Sequence, residues 1–416
     1  MNVALVSLLA LLAVIVVSCF SPINIGFLSV ALAFLIGHFL GGLPVRTIVA
    51  GFPASLFLTL VGITLLFAQA RANGTLDKVA GHAVRLAHGN AGLIPVVFFV
   101  LGAVLAAIGA GNIAAAALLA PVAMGIAGRA GISGFLMAIM LGNGVNAGGL
   151  SPLAPTGIIA RDLMARGGMP GAEWANFFNT MAAQTFVAIA GYLLFGGIAL
   201  LRRGRAVDAD ARLTARPAAF TPEQRLTVVV IAALVVCAVA WRVDVGMGAF
   251  VAAAILSLAR AADEEQAIQS IPWGVILMVS GVTVLLEVLA KTGGLELFTS
   301  LLAQLSGPGW VTGAIAFVTG VISVYSSSSG VVLPAFLPSI PGLVEKLGGG
   351  NPLMIAYSIN VGSHLVDLSP LSTLGALCLA AAAQEERRAL FRKLMAWGWS
   401  MTAVGAVVCQ LFFGYR

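Results

Sequence analysis

Residues 138–157 read AIMLGNGVNAGGLSPLAPTG, and residues 356–375 read AYSINVGSHLVDLSPLSTLG. Aligned without gaps, they share Ala138/Ala356, Gly144/Gly362, Leu150/Leu368, Ser151/Ser369, Pro152/Pro370, Leu153/Leu371 and Gly157/Gly375. Each sets Gly, Asn, Ser and Pro in the middle of a long apolar segment. A broken helix has unpaired backbone groups that hydrocarbon cannot satisfy, so such a break is sheltered in protein or lines a cavity. Two matching breaks in the two halves of one chain point to a transporter's binding site.

The likeness extends upstream of the breaks. Pro53 to Leu76 aligns with Pro272 to Leu295, matching Leu58/Leu277, Gly62/Gly281, Thr64/Thr283, Leu66/Leu285 and Gly74/Gly293. The offset is 219 there and 218 at the breaks. So constant a spacing marks an internal repeat.

Composition sets the class. Of 416 residues, 60% are hydrophobic and 9% charged, and the mean hydropathy is +1.04. Soluble domains are about a quarter charged, so this is a polytopic membrane protein. Its basic residues sit in loops and form no single patch, so the net charge of +6 is no nucleic-acid signal. Cys19, Cys237, Cys378 and Cys409 lie in apolar segments without CxxC or His pairing and read as packing residues. No Lys or Arg precedes Arg46. A signal peptide has a basic start, so residues 3–20 are expected to remain as a helix.

Apolar runs long enough to cross a bilayer fall near 3–20, 23–41, 50–70, 134–160 and 177–200, then 225–241, 245–260, 271–290, 352–382 and 393–413. Residues 93–128 and 308–345 are apolar but interrupted at their centres, by Gly109 to Asn112 and by Tyr325 to Gly330. They read as re-entrant hairpins with polar tips; two short crossings each are the alternative. The expected fold is therefore all-α, with two repeats, 1–200 and 225–416. Each holds five crossings and one hairpin, and one crossing in each is discontinuous. Five is odd, so the repeats are expected to be inverted. Residues 71–90 and 291–306 occupy equivalent places as interfacial helices.

The linker 201–224 carries Arg202, Arg203, Arg205, Arg212 and Arg216 and reads as cytoplasmic. Both termini then lie outside. Arg71, Lys78, Arg85, Arg129, Arg225, Arg260, Arg387, Arg388, Arg392 and Lys393 join the linker on the inner side. Arg46, Arg161, Arg166, Arg242, Lys291, Lys346 and Arg416 fall outside. The bias favours this orientation, but it does not distinguish hairpins from paired crossings.

Ser151-Pro152 and Ser369-Pro370 read as helix starts, with Ser at the N-cap and Pro at the first helical position. The free N–H groups of each half-helix suit a carboxylate or phosphate. The preceding half-helices are expected to end at Gly142 to Asn146 and at Asn360 to His364, where open carbonyls suit a small cation. The candidate substrate-binding residues are Asn112, Asn146, Ser151, Thr156, Ser327, Ser328, Ser329, Ser369 and Thr373. The candidate cation-binding residues are Asn112, Gly142, Asn143, Ser329, Asn360 and Asp367. Asp367 is the one acidic residue at mid-depth; an intramembrane carboxylate there calls for a cation or a proton. Its plainer role would be to cap the half-helix begun at Pro370. His364 is a proton-coupling group or a packed, hydrogen-bonded ring. The glycines open the helix or serve close packing.

The run from Gly111 to Ala160 resembles the N-terminal region of MatC-type malonate/dicarboxylate carriers, most closely over residues 95–165. The repeat architecture resembles the ion transporter superfamily, which includes the divalent anion:sodium symporters. In those symporters Ser-Asn-Thr motifs at the hairpin tips help to bind sodium and carboxylate. Here the tips read Gly111-Asn112-Ile113 and Ser327-Ser328-Ser329, and Asn112 alone keeps the middle Asn. The resemblance implies a homodimer in a bacterial inner membrane, with a fixed scaffold and a transport domain that moves as an elevator. The expected function is cation-coupled transport of a small dicarboxylate, malonate or a C4 acid, with sodium or a proton as the coupling ion and no cofactor. A cation/proton antiporter or an arsenite-type exporter on the same scaffold is the alternative. An enzyme would need a nucleophile with its base or a metal cluster. The chain has no HExxH, no GxSxG and no His/Asp cluster beyond His364 with Asp367.

Overall fold

A computed structural model describes residues 2–21, 23–84, 90–203, 219–241, 243–305, 307 and 309–414. Arg85, Arg205, Arg212, Arg216, Arg242 and Arg416, used above for orientation, lie outside the described residues.

Among the described residues every regular element is a helix. The first half has α1 (Val3–Phe20), α2 (Ile25–Phe34, continued by a π turn), α3 (Val45–Val49), α4 (Ala54–Ala72), α5 (Thr75–Val84), α6 (Leu93–Leu105), α7 (Gly111–Ala130), α8 (Gly134–Gly149), α9 (Pro155–Arg166), α10 (Glu173–Leu194) and α11 (Gly197–Arg203). The second has α12 (Pro222–Ala240), α13 (Val245–Leu258), α14 (Glu264–Gln269), α15 (Trp273–Lys291), α16 (Gly294–Leu305), α17 (Val311–Tyr325), a π turn at Ser328–Val332, α18 (Leu333–Phe336), α19 (Ile340–Lys346), α20 (Pro352–Leu365), α21 (Thr373–Ala381) and α22 (Arg387–Phe413). Among the described residues, seven helical stretches are long and apolar enough to cross a membrane.

Local chemistry sets the ends. Asn2, Asp244 and Asn351 cap α1, α13 and α20 with side-chain oxygens, and Thr221 with Gln224 forms a capping box on α12. The paired glycines Gly74 and Gly293 have φ of +74° and +78°. A left-handed residue there turns α4 into α5 and α15 into α16 at the same point of each half.

Element order repeats between the halves, and so does the packing. α2 lies against α15, while α13 lies against α4. A Cβ on Gly26 would stand 2.2 Å from the Leu277 carbonyl oxygen, and one on Gly281 2.2 Å from that of Gly26. In the reciprocal crossing, a Cβ on Gly62 would stand 2.5 Å from the Gly246 oxygen, and one on Gly246 2.5 Å from Thr59 Cα. Gly62 and Gly281 are an aligned pair. Small residues let helix backbones touch, which is how apolar helices gain contact where lipid competes equally for side chains.

The interrupted segments break where their polar residues fall. Gly109 and Gly111, with φ of +126° and +77°, separate α6 and α7. Extended Ser326 and Ser327 separate α17 from the π turn. α6 has 13 residues and is continued by a π turn at Ala106–Ala110, and α17 has 15; at about 1.5 Å per residue these arms span roughly 25 Å and 22 Å, short of a ~30 Å hydrocarbon core. The second arms are longer than the sequence reading allowed: α7 alone has 20 residues. Both arms of the first segment pack on α8, and α17 packs on α20. Here the aligned Gly144 and Gly362 act as packing glycines. Their absent Cβ atoms would lie 2.4 Å from the Phe99 oxygen and 2.6 Å from the Ala316 oxygen. Every residue of α8 is buried, so the discontinuous helices form the centre of the molecule.

Candidate functional site

Both long helices are broken, as expected, but the second pieces begin later than Ser-Pro. α9 starts at Pro155, with Ala154 at its N-cap, and α21 starts at Thr373, with Ser372 at its N-cap. Ser151 and Ser369 instead open tight turns. The Ala154 N–H donates to the Ser151 carbonyl at 2.9 Å, and the Ser372 N–H donates to the Ser369 carbonyl at 3.0 Å. Pro152 and Pro370 hold the second turn position, whose φ matches that of a first helical residue. Each serine Oγ accepts the N–H two residues on, at 3.3 Å. The aligned Gly157 and Gly375 are required by these turns, since a Cβ would lie 1.9 Å from the Ser151 oxygen or 2.1 Å from that of Ser369.

The first pieces also end later than expected in the first half. α8 runs to Gly149, so Gly142 and Asn143 lie inside it; α20 ends at Leu365. Gly142 faces Leu368, whose Cδ2 would be 2.1 Å from an added Cβ. Asn143 donates to the Ile139 carbonyl at 2.8 Å. Asn360 donates to Asn176 Oδ1 at 2.9 Å. Among the described residues none of these three side chains is hydrogen-bonded to the tips, and the buried Oδ1 atoms of Asn143 and Asn360 have no hydrogen-bond partner there.

The other candidates converge. Asn112 Nδ2 donates to Asn146 Oδ1 at 2.8 Å, and Asn112 Oδ1 accepts from Thr156 Oγ1 at 3.3 Å and from the Ile113 N–H at 3.0 Å. Asn146 Nδ2 lies 2.9 Å from the His364 carbonyl oxygen and 3.2 Å from Asp367 Oδ2. Ser328 Oγ donates to Asp367 Oδ1. The chain Thr156–Asn112–Asn146–Asp367–Ser328 thus ties both tips to both broken helices. Asp367 caps no helix; its carboxylate faces the second tip. In the first half the relation is reversed. Gly149, aligned with Asp367, leaves room for Asn112, whose Cβ would be 3.1 Å from a Cβ on Gly149.

Two cavities meet here. A small one of about 20 Å³ is lined by Asn112, Ser327, Ser328, Ser329, His364, Asp367 and Thr373, among others. A larger one of about 140 Å³ is lined by Asn112, Thr156, Ser329, Thr64, Phe67 and Arg71, with Ser270 and Pro272 of the second half. Asn112, Ile113 and Ser329 line both. Arg71 is the residue sequence reasoning missed. It reads as a loop cation at the end of α4, yet it lines this mostly apolar cavity. No ion pair or hydrogen bond of its side chain is found among the described residues. It stands seven residues beyond Thr64, about 10 Å along the helix axis. Among the described residues no group of three or more His, Cys, Asp or Glu is placed to hold a metal.

Residues 1–149 match the family model described as dicarboxylate carrier protein MatC N-terminus. The matched stretch ends at Gly149, so it takes in Arg71, Asn112 and Asn146 and stops short of the Ser151 turn. No curated protein matches the chain at a significant level. Over this stretch, then, the chain is similar to a dicarboxylate carrier, and its long apolar helices are those of an integral membrane protein.

Proposed function

We propose that the chain is a secondary, cation-coupled transporter of small dicarboxylates, and that the larger cavity is where the substrate binds. One observation carries this: a guanidinium without an ion pair among the described residues, the start of α9 and the polar tips line a single space of about 140 Å³. A dicarboxylate needs two anchors a few ångströms apart. The free N–H groups at Thr156, with Asn112 and Ser329, suit one carboxylate. Arg71, planar and always charged, suits the other. A small dicarboxylate such as malonate or a C4 acid is the substrate class we propose for it.

Asp367 supplies the reason for coupling. A buried carboxylate beside an anion site is unfavourable unless a cation or proton neutralises it. The small cavity adjoins the large one through Asn112 and Ser329, so filling one favours filling the other. The reciprocal glycine crossings of α2 with α15 and α13 with α4 suit a fixed scaffold. The tips and broken helices suit a moving transport domain, with the halves inverted and the protein a homodimer by likeness. With the linker cytoplasmic, Arg71 and Ser270 mark an inward-facing mouth.

Thermal unfolding of the purified chain against malonate, succinate and fumarate, with and without sodium, tests the reading. A ligand at a hundred times its Kd stabilises the folded state by about 2.7 kcal/mol. A melting temperature unmoved by every dicarboxylate, at any sodium concentration and pH, would sink it.

A further inference from the structure

We infer that α10 carries a cation site of its own, for an alkali metal ion such as sodium, held by Thr180 and Gln184 together with Asn176 and Asn360. It lies apart from the Asp367 carboxylate and does not depend on which substrate is carried.

Three buried side chains of α10 stand one turn apart on one face: Asn176, Thr180 and Gln184, each no more than 2% exposed. That face looks toward α8 and α20, on which α10 packs. The Phe135 and Phe195 ring centroids are 4.9 Å apart, and a Cβ on Gly191 would stand 2.9 Å from Ile139 Cγ2. Hence α10 runs antiparallel to α8, and Gln184, seven residues before Gly191, is on the side turned to it. At the other end Asn360 Nδ2 donates to Asn176 Oδ1 at 2.9 Å, which ties the same face to α20. Helical side chains lean toward the helix N-terminus. Gln184 therefore reaches toward Thr180, and Thr180 toward the Asn176–Asn360 pair.

The polar atoms of this seam are not spent within the protein. Thr180 Oγ1, both amide atoms of Gln184 and Asn360 Oδ1 are buried without a hydrogen-bond partner among the described residues. A threonine inside a helix can bond back to the carbonyl one turn earlier. Thr185 does so to Met181 at 2.6 Å, Thr64 to Leu60 at 2.7 Å and Thr319 to Ile315 at 2.7 Å. Thr180 does not. Asn360 spends its amide hydrogens on Asn176 and on the Ala356 carbonyl, 3.0 Å away, so its oxygen keeps both lone pairs. Such buried groups are costly unless something bonds to them. What is open is mostly oxygen: a hydroxyl, two amide carbonyls and the second lone pair of Asn176 Oδ1. One water has two hydrogens to give and cannot serve them all, whereas a hard cation is held by several oxygens at once. None of the four residues is acidic. Neutral oxygens suit a single positive charge, as carbonyl rings do in alkali-ion channels, and a divalent ion calls for carboxylates.

None of the four lines either cavity described above. The site is nevertheless one bond from the tips. His364 Nδ1 lies 2.8 Å from the Asn360 carbonyl oxygen, and His364 lines the small cavity with Asp367. An ion on Asn360 thus braces α20 against α10 without entering the substrate space.

Melting of the purified full-length chain in sodium, potassium and choline chloride at equal ionic strength, with no dicarboxylate present, provides the test. Sodium or potassium is expected to raise the melting temperature over choline by roughly 2 °C or more. Thr180→Val and Gln184→Met keep the bulk of the side chain and remove the open polar atoms. In choline they should melt at or above the wild-type temperature, and the gain from sodium or potassium should vanish. Asp367→Asn should keep that gain; if it does not fold, the two α10 variants still decide. Equal melting of the wild type in all three salts, the result of water alone in the seam, overturns the inference. So does a gain that both α10 variants retain. Either result leaves the carrier reading intact, because that reading stands or falls on the response to dicarboxylates.

Discussion

Asn146 and Asp367 are hydrogen-bonded across the two halves of the chain, with Nδ2 3.2 Å from Oδ2. The same amide donates to the carbonyl of His364, the residue aligned with Asn146 itself. An amide from one repeat thus holds the carboxylate of the other. Removing it leaves Asp367 with Ser328 as its side-chain donor. Asn146→Ala should destabilise the protein by about 1.5–3 kcal/mol, the range for a buried hydrogen bond to a charged group, and slow dicarboxylate uptake more than tenfold. Asn146→Asp should be worse, because it sets a second carboxylate against the first. Thermal unfolding and uptake in proteoliposomes read both effects. Equal uptake by Asn146→Ala and wild type would remove Asn146 from the site.

Arg71 should determine preference for two carboxylates over one. Arg71→Gln is expected to raise KM for malonate and succinate by roughly ten- to a hundredfold, in line with losing a charged hydrogen-bond partner, with little change for a monocarboxylate. Arg71→Lys keeps the charge but loses the fork geometry, so it should fall between. The side chain is exposed, so melting temperature should scarcely move. Uptake kinetics for paired mono- and dicarboxylates would settle it; a uniform loss for both classes would argue against the anchor.

The breaks, the tips and the repeat were legible because Gly, Asn, Ser and Pro are out of place in apolar helices, and because both halves make the same exception. Asn112, Asn146, Asp367 and the serine tip could be singled out on that ground. The helix starts were not, since the φ of Pro152 or Pro370 serves a turn as well as a first helical residue. The cues at Pro155 and Ser372 were present three residues further on. Gly142 and Asn143 looked like an open helix end, yet Gly142 is small because Leu368 packs on it. Arg71 was hidden for a different reason. Where a long side chain at a helix end points depends on the neighbours brought in by α7, α9 and the segment before α15, and no local pattern encodes that.

The glycine crossings between the halves should be the most sensitive points of the scaffold. Gly281→Ala sets a Cβ 2.2 Å from the Gly26 carbonyl oxygen, and neither backbone can yield without parting α2 from α15. Overpacking of this kind costs about 1–3 kcal/mol or more. Gly62→Ala, the aligned change, should cost a similar amount against the Gly246 oxygen. Comparable drops in melting temperature for the two single variants would be the mark of a repeated scaffold. A large effect at one and none at the other would contradict it.

Gly149 and Gly157 offer a contrast between function and stability within one break. A Cβ at Gly149 would meet the Asn112 side chain at 3.1 Å, whereas a Cβ at Gly157 would meet the Ser151 carbonyl oxygen at 1.9 Å. The first neighbour can shift by a few tenths of an ångström; the second is the backbone of the turn itself. Gly149→Ala should therefore displace the tip amide, weaken dicarboxylate binding and leave the melting temperature nearly unchanged. Gly157→Ala should lower the melting temperature sharply, through overpacking of about 1–3 kcal/mol, and Gly375→Ala should do the same in the second half. Parallel binding and unfolding measurements on the three variants distinguish them. If Gly149→Ala binds dicarboxylates like wild type, the Asn112 tip is not part of the substrate site, and the anchor for that carboxylate must be sought at Thr156 and the start of α9 alone.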